Sequence, residues 1–184
     1  MASQFKPFIS RIKRYLSAYG GWKAIFRSPL FLISLALTAI GYANWLNDQW
    51  SSVSQAVIPN LLGFSLGTYA ILFSLMTSRL KRALKAVRND RGTSYLDEIN
   101  ATFFHFIFVQ VTALLWAFVY RGTALRDLLQ EAATRWDGAT GLFGVLYATG
   151  GFIGHLLLIY SIALIIGAAL AVYRLALIVD PTDS

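Results

Sequence analysis

Few residues in this chain have the types and spacing that could do chemistry. The densest run is Pro59-Asn60-Leu61-Leu62-Gly63-Phe64-Ser65-Leu66-Gly67-Thr68, in which Gly63 and Gly67 form a GxxxG. At helical spacing one face carries Asn60, Gly63, Gly67, Ala70 and Ser74, while Ser65 and Thr68 fall off it. No hydrophobic force draws helices together within lipid. A small, polar stripe of this kind therefore acts either by close backbone packing or by facing water in a pore. Ala163, Gly167 and Ala171 make a comparable line further along the chain and suit close helix approach.

Polar side chains at membrane depth are functional candidates because burying them costs energy. Here they are His105, Gln110 and His155. His105 lies about 10 Å along a helix from Glu98, whereas His155 stands 19 residues before Arg174, about 28 Å away from it. Those depths argue against a shared metal. Two histidines without a neighbouring carboxylate or thiolate also make a poor ligand set, so each is expected to be a neutral imidazole bonded to another helix, with pH sensing as the alternative role. Gln110 is expected to pair with a neighbouring helix. The chain has no HExxH, GxSxG or phosphate-loop glycine-lysine pattern and no cysteine. It is not expected to be an enzyme, and no catalytic residue, metal or cofactor is assigned.

The elements carrying these residues follow from composition. Of 184 residues 57% are hydrophobic and only 14% charged, with a mean hydropathy of +0.57, against about 25% charged in soluble domains. Four uncharged windows, 28–47, 49–78, 99–120 and 138–173, hold 108 positions. Each is long enough to cross the hydrocarbon core, which takes about 20 apolar residues. The expected fold is all-α: a single polytopic integral membrane domain with four transmembrane helices and two interfacial amphipathic helices. The spans are expected at 28–47, 56–78, 99–120 and 150–173. They are joined by a basic cytoplasmic loop over 79–98 and an outer segment over 121–149, and followed by a tail over 174–184.

Charge sets the expected orientation. With the N-terminus inside, 13 of the 16 Lys and Arg residues fall on the cytoplasmic side, as the resistance of these residues to translocation requires. Both termini are then cytoplasmic and the protein sits in the cell (inner) membrane. Residues 1–27 read as a basic amphipathic helix, with Phe8, Ile9, Ile12, Tyr15, Leu16 and Tyr19 on one face and Lys6, Arg11, Lys13 and Arg14 off it. The stretch does not read as a cleaved signal peptide. The helix of the second span is expected to run past Thr77, presenting Arg79, Lys81, Arg82, Lys85 and Arg88. These cations flank apolar spans, so anionic lipid of the inner leaflet is the expected partner and nucleic acid is not. A cytosolic protein is the alternative.

Local signals mark several boundaries. Ser28-Pro29 opens the first span. A loop over 47–54 is expected to lead into the second, and Ser94 with Asp97 makes a capping box that opens the third. Residues 123–136 read as a second interfacial helix, on the outside. The fourth window is too long for one crossing and too short for two, so 138–149, with glycines at 138, 141 and 144, is left as a helical overhang, a re-entrant piece or a vestibule loop.

The order of basic interfacial helix, short first span, acidic outer loop and Pro59-x-x-x-Gly63 resembles the N-terminal part of bestrophin-type anion channels. Where that family carries an arginine-tryptophan-tryptophan cluster after the second span, this chain has Arg79-Leu80-Lys81-Arg82, so no functional residue carries over. The resemblance implies a layout suited to a channel. Two functions are expected to compete. One is a homo-oligomeric channel or pore-type subunit. The other is a membrane anchor or signalling subunit that recruits a cytosolic partner, for example a membrane effector of a bacterial defence system.

Overall fold

The computed structural model describes residues 2–122, 127, 130, 131 and 139–177. Eight helices carry the fold among them, and no strand forms. In order they are α1 (Ala2–Tyr19), α2 (Gly21–Phe26), α3 (Pro29–Ile40), α4 (Tyr42–Leu46), α5 (Gln49–Leu75), α6 (Ser78–Ala86), α7 (Tyr95–Arg121) and α8 (Ala139–Ala176).

Three helices, α5, α7 and α8, are long and apolar enough to cross a bilayer. Their 27, 27 and 38 residues give lengths of about 40, 40 and 57 Å against a hydrocarbon core of about 30 Å. The first expected span, 28–47, differs. Proline at the first turn starts α3 as anticipated, but the helix stops after 12 residues, about 18 Å, and resumes beyond Gly41 as α4. At this break the Trp45 indole N–H donates to the Thr38 carbonyl at 3.1 Å. Gly41 itself faces His155, whose ring carbon would lie 3.4 Å from a side chain there. The two pieces nonetheless follow α8 from Gly167, which Leu30 touches, to Gly151, which the Trp45 backbone touches, about 24 Å of helix.

Other boundaries also moved. The anticipated loop over 47–54 is the first turn of α5, because Asp48 reverses the chain in a single left-handed residue (φ 62°) and buries Trp50 against Gly154. The second span's helix therefore covers 49–75 rather than 56–78. It does not continue past Thr77: Met76 and Thr77 are extended, and the Thr77 hydroxyl accepts the Leu80 N–H at 3.2 Å, capping a separate α6. The basic segment 79–98 is thus mostly helix. Ser94 caps α7, accepting the Asp97 N–H at 3.1 Å, so that helix contains 99–120 but starts four residues earlier. Residues 139–176 form one unbroken helix, so the described part of the 138–149 stretch is helical and continuous with the expected fourth span. The anticipated outer helix over 123–136 lies largely outside the described residues.

Helices α7 and α8 run antiparallel through the centre of the bundle. The Trp116 indole donates to the Gly150 carbonyl at 3.0 Å, the Tyr120 hydroxyl to the Tyr147 carbonyl at 3.1 Å, and His105 meets Tyr160. Helix α5 packs on both, while α3 and α4 pack on α8 and α1 and α6 on α7. The apolar core is in two parts. One gathers Leu72, Ile99, Phe103, Phe106, Tyr160 and Leu164, the other Trp50, Ile58, Ala113, Ala117 and Leu158. Ser65 on α5 and Gln110 on α7 fall between them, both fully buried.

Candidate functional site

The stripe on α5 lies on the side of that helix turned away from the bundle. Trp50, Ser54, Ile58, Ser65 and Leu72 face inward and are buried, whereas Asn60, Gly63, Ala70 and Ser74 are exposed and Gly67 half-buried. A side chain placed at Gly63 or Gly67 would meet nothing within 4 Å. The GxxxG therefore packs against no helix among the described residues. Asn60 donates to the Ala56 carbonyl and Ser74 to that of Ile71, so the polar members are satisfied along the helix itself. Outward faces elsewhere are bulky and apolar: Leu32, Ile33 and Leu37 on α3, Phe108, Leu115 and Phe118 on α7, and Ile162, Ile166 and Leu170 on α8. Helix α5 also turns Phe64, Leu66, Ile71 and Leu75 outward, so its small and polar stripe runs between bulky apolar side chains.

The intramembrane polar residues form a second constellation. His105, 2% exposed, is held on both ring nitrogens: Nδ1 by the Tyr15 hydroxyl at 2.5 Å and Nε2 by the Tyr160 hydroxyl at 2.8 Å. An imidazole with one N–H and one lone pair satisfies this arrangement with one phenol donating and the other accepting. The Tyr19 ring packs on it at 4.3 Å between centroids. Burial raises the Tyr15 and Tyr19 phenols above their ordinary range, which keeps both as hydroxyls. His105 thereby docks the amphipathic α1 on α7 and α8.

Gln110 is wholly buried, yet among the described residues neither amide atom has a partner, so the expected pairing with a neighbouring helix is not formed among them. By the register of the Trp116–Gly150 and His105–Tyr160 contacts it stands level with His155, itself buried with Nδ1 unpartnered. The same register corrects the depth argument. His105 is level with Tyr160, only five residues of α8, or about 7.5 Å, from His155, because α8 runs on past the start of α7. The two rings still face different neighbours, His155 lying beside Gly41. Among the described residues no three of His, Cys, Asp or Glu gather as a metal site.

The basic residues collect at one end of the bundle. Lys6, Arg11, Lys13 and Arg14 on α1 and Arg79, Arg82 and Lys85 on α6 are exposed, with Lys81 half-buried beside them. Arg14 reaches Asp97 at 3.5 Å, and Arg88 donates to the Gly92 carbonyl at 2.7 Å, closing the turn before α7. At the opposite end Asp48 accepts from the Tyr147 hydroxyl, while its other oxygen is buried without a partner.

Compared with known protein families, curated proteins and solved structures, the chain matches none. Sequence reasoning reached His105 but not Tyr15 and Tyr160, which lie 90 and 55 residues away from it and come together only through tertiary packing. It also passed over Asp48, whose one local signal is its place between Trp45 and Trp50 at the end of an uncharged window.

Proposed function

We propose that this is a small integral membrane protein that assembles from identical copies through the back of α5, as a channel or pore-type subunit. In this reading α3 and α4 together make the fourth crossing, the basic end faces the cytoplasm with both termini, and the membrane is the cell (inner) membrane. The observation that carries it is the small and polar stripe from Asn60 to Ser74, which no described helix covers and which runs between the exposed Phe64, Ile71 and Leu75. Backbones approach closely where side chains are small, and a ring of such helices puts Asn60 and Ser74 along a shared axis. Proteoliposomes holding the oligomer should then pass ions, and Asn60→Leu or Gly67→Leu should change the flux. Ion-tight vesicles containing a verified oligomer would remove the pore.

A second reading rests on a separate observation, the exposed cations of α1 and α6 at one end of the bundle. They suit a membrane anchor or signalling subunit whose cytoplasmic face recruits an acidic protein. Neutralising Lys81, Arg82 and Lys85 separates the readings: capture of the partner is lost under the second, and ion flux through α5 persists under the first.

A further inference from the structure

An open cavity of about 260 Å³ lies between α1, α5 and α7 at the basic end of the bundle, and its chemistry is divided in two. Arg11, Arg14, Asn100 and the hydroxyl-bearing Tyr15 and Tyr69 supply its polar lining. Phe104, edge-on to the Tyr15 ring at 4.8 Å, supplies apolar lining and stacks on Phe108 one turn along, at 6.0 Å between ring centroids. Both phenylalanines are exposed, at 42% and 43%, and Val111 and Leu115 continue the same outward face towards the middle of the helix. A cationic mouth therefore leads onto an uncovered apolar ridge running along the helix axis.

We propose that this cavity binds one anionic phospholipid of the adjoining leaflet, its phosphate held by Arg11 and Arg14 and an acyl chain lying along Phe104 and Phe108. The fit is one of charge and shape. Planar guanidinium groups pair with phosphate oxygens through paired N–H donors, and Arg11 and Arg14 are one helical turn apart on α1. Asp97, the only acid lining the cavity, already engages Arg14 at 3.5 Å, but both side chains are well exposed, at 80% and 43%, and such a pair is weak enough to yield to a phosphate. The volume, about 260 Å³, is just below the roughly 300–1,000 Å³ of pockets that enclose a whole ligand, and suits a headgroup with the start of one chain. The rest of the chain needs an apolar surface, which Phe108, Val111 and Leu115 provide. Tyr15 lines the cavity with its ring while its hydroxyl holds His105, so an occupied site braces the contact that docks α1. This inference needs the chain to lie in a bilayer, but not that it conducts.

The test uses the full chain in detergent, with phosphatidylglycerol, phosphatidylcholine or inorganic phosphate as probes, and bound lipid counted by native mass spectrometry. Phosphatidylglycerol should bind in one tight copy at least tenfold more strongly than phosphatidylcholine. Arg11→Gln/Arg14→Gln should lower that affinity more than Lys81→Gln/Arg82→Gln/Lys85→Gln does, although the latter removes three charges instead of two. If the cations merely attract anionic lipid, each removal costs about fivefold and the three-charge variant must lose more. That order, or equal retention of the two lipids, would overturn the site. Inorganic phosphate saturating the same two arginines as tightly as the lipid would show a phosphate site without a lipid. Phe104→Ser should weaken lipid but not phosphate binding, and no difference between the two would also overturn the proposal.

Discussion

Replacing His105 by phenylalanine isolates the contact that fastens α1 to the bundle. Phenylalanine keeps an aromatic ring beside Tyr19 and Phe106, so packing is largely preserved while both hydrogen bonds disappear. Tyr160 is 3% exposed, and its hydroxyl loses its hydrogen bond to the histidine. A buried polar group left without a partner costs about 1–3 kcal/mol, whereas side-chain bonds between membrane helices average only about 0.6 kcal/mol because lost partners are often replaced. Tyr19 lies close enough to Tyr160 to offer such a replacement. The expected loss is therefore about 1–2 kcal/mol, or a melting midpoint lower by about 2–8 °C on the scale of soluble domains of this size. The five tryptophans allow the transition to be followed by intrinsic fluorescence in detergent. Adding Tyr160→Phe to His105→Phe should recover part of the loss, since the orphaned hydroxyl goes with it. Limited trypsin digestion at Lys13 and Arg14 should also speed up, as α1 is released. A melting midpoint equal to that of the parent protein, or strictly additive losses in the double variant, would refute the pairing of His105 with Tyr160.

Two further outcomes follow from burial. Gly154→Ala should destabilise by about 1–3 kcal/mol because its methyl would enter the Trp50 ring, while Gly67→Ala, with open space around it, should leave the melting midpoint of the monomer unchanged; equal effects would contradict the packing. Gln110→Leu should be neutral or stabilising in the monomer, since its amide has no partner among the described residues, and a loss above about 1 kcal/mol would mean that the amide is bonded.

Long uncharged windows were readable from sequence because lipid tolerates few charges: α5 lies within its window, and α7 and α8 cover nearly all of theirs and run a few residues past them. Short-range start signals were readable too: Pro29 takes the first turn of α3, although the Ser28 side chain makes no capping bond, and Ser94 caps α7. Breaks were not. Gly41 and the Met76–Thr77 step interrupt stretches whose composition stays helical, and the reasons, Trp45 turning back onto Thr38 and the Thr77 hydroxyl capping α6, depend on geometry that hydropathy ignores. The small residues of α5 were evident as a line, but whether that line faced inward could not be read from periodicity, because in a membrane helix both faces are apolar. The same holds for the histidine cluster. His105 stood out by residue type alone, whereas Tyr15 and Tyr160 look like ordinary interfacial or core aromatics until α1 is folded against α7.

The absence of cysteine makes self-association along α5 directly measurable. Single substitutions Gly63→Cys, Gly67→Cys and Ser74→Cys, oxidised in native membranes, should give disulfide-linked dimers, because the proposed assembly brings these positions against their counterparts in a second copy. Leu115→Cys and Ile166→Cys, on faces turned to lipid, should remain monomeric. Dimers forming through positions 115 or 166 and none through the α5 line would contradict assembly through the back of that helix.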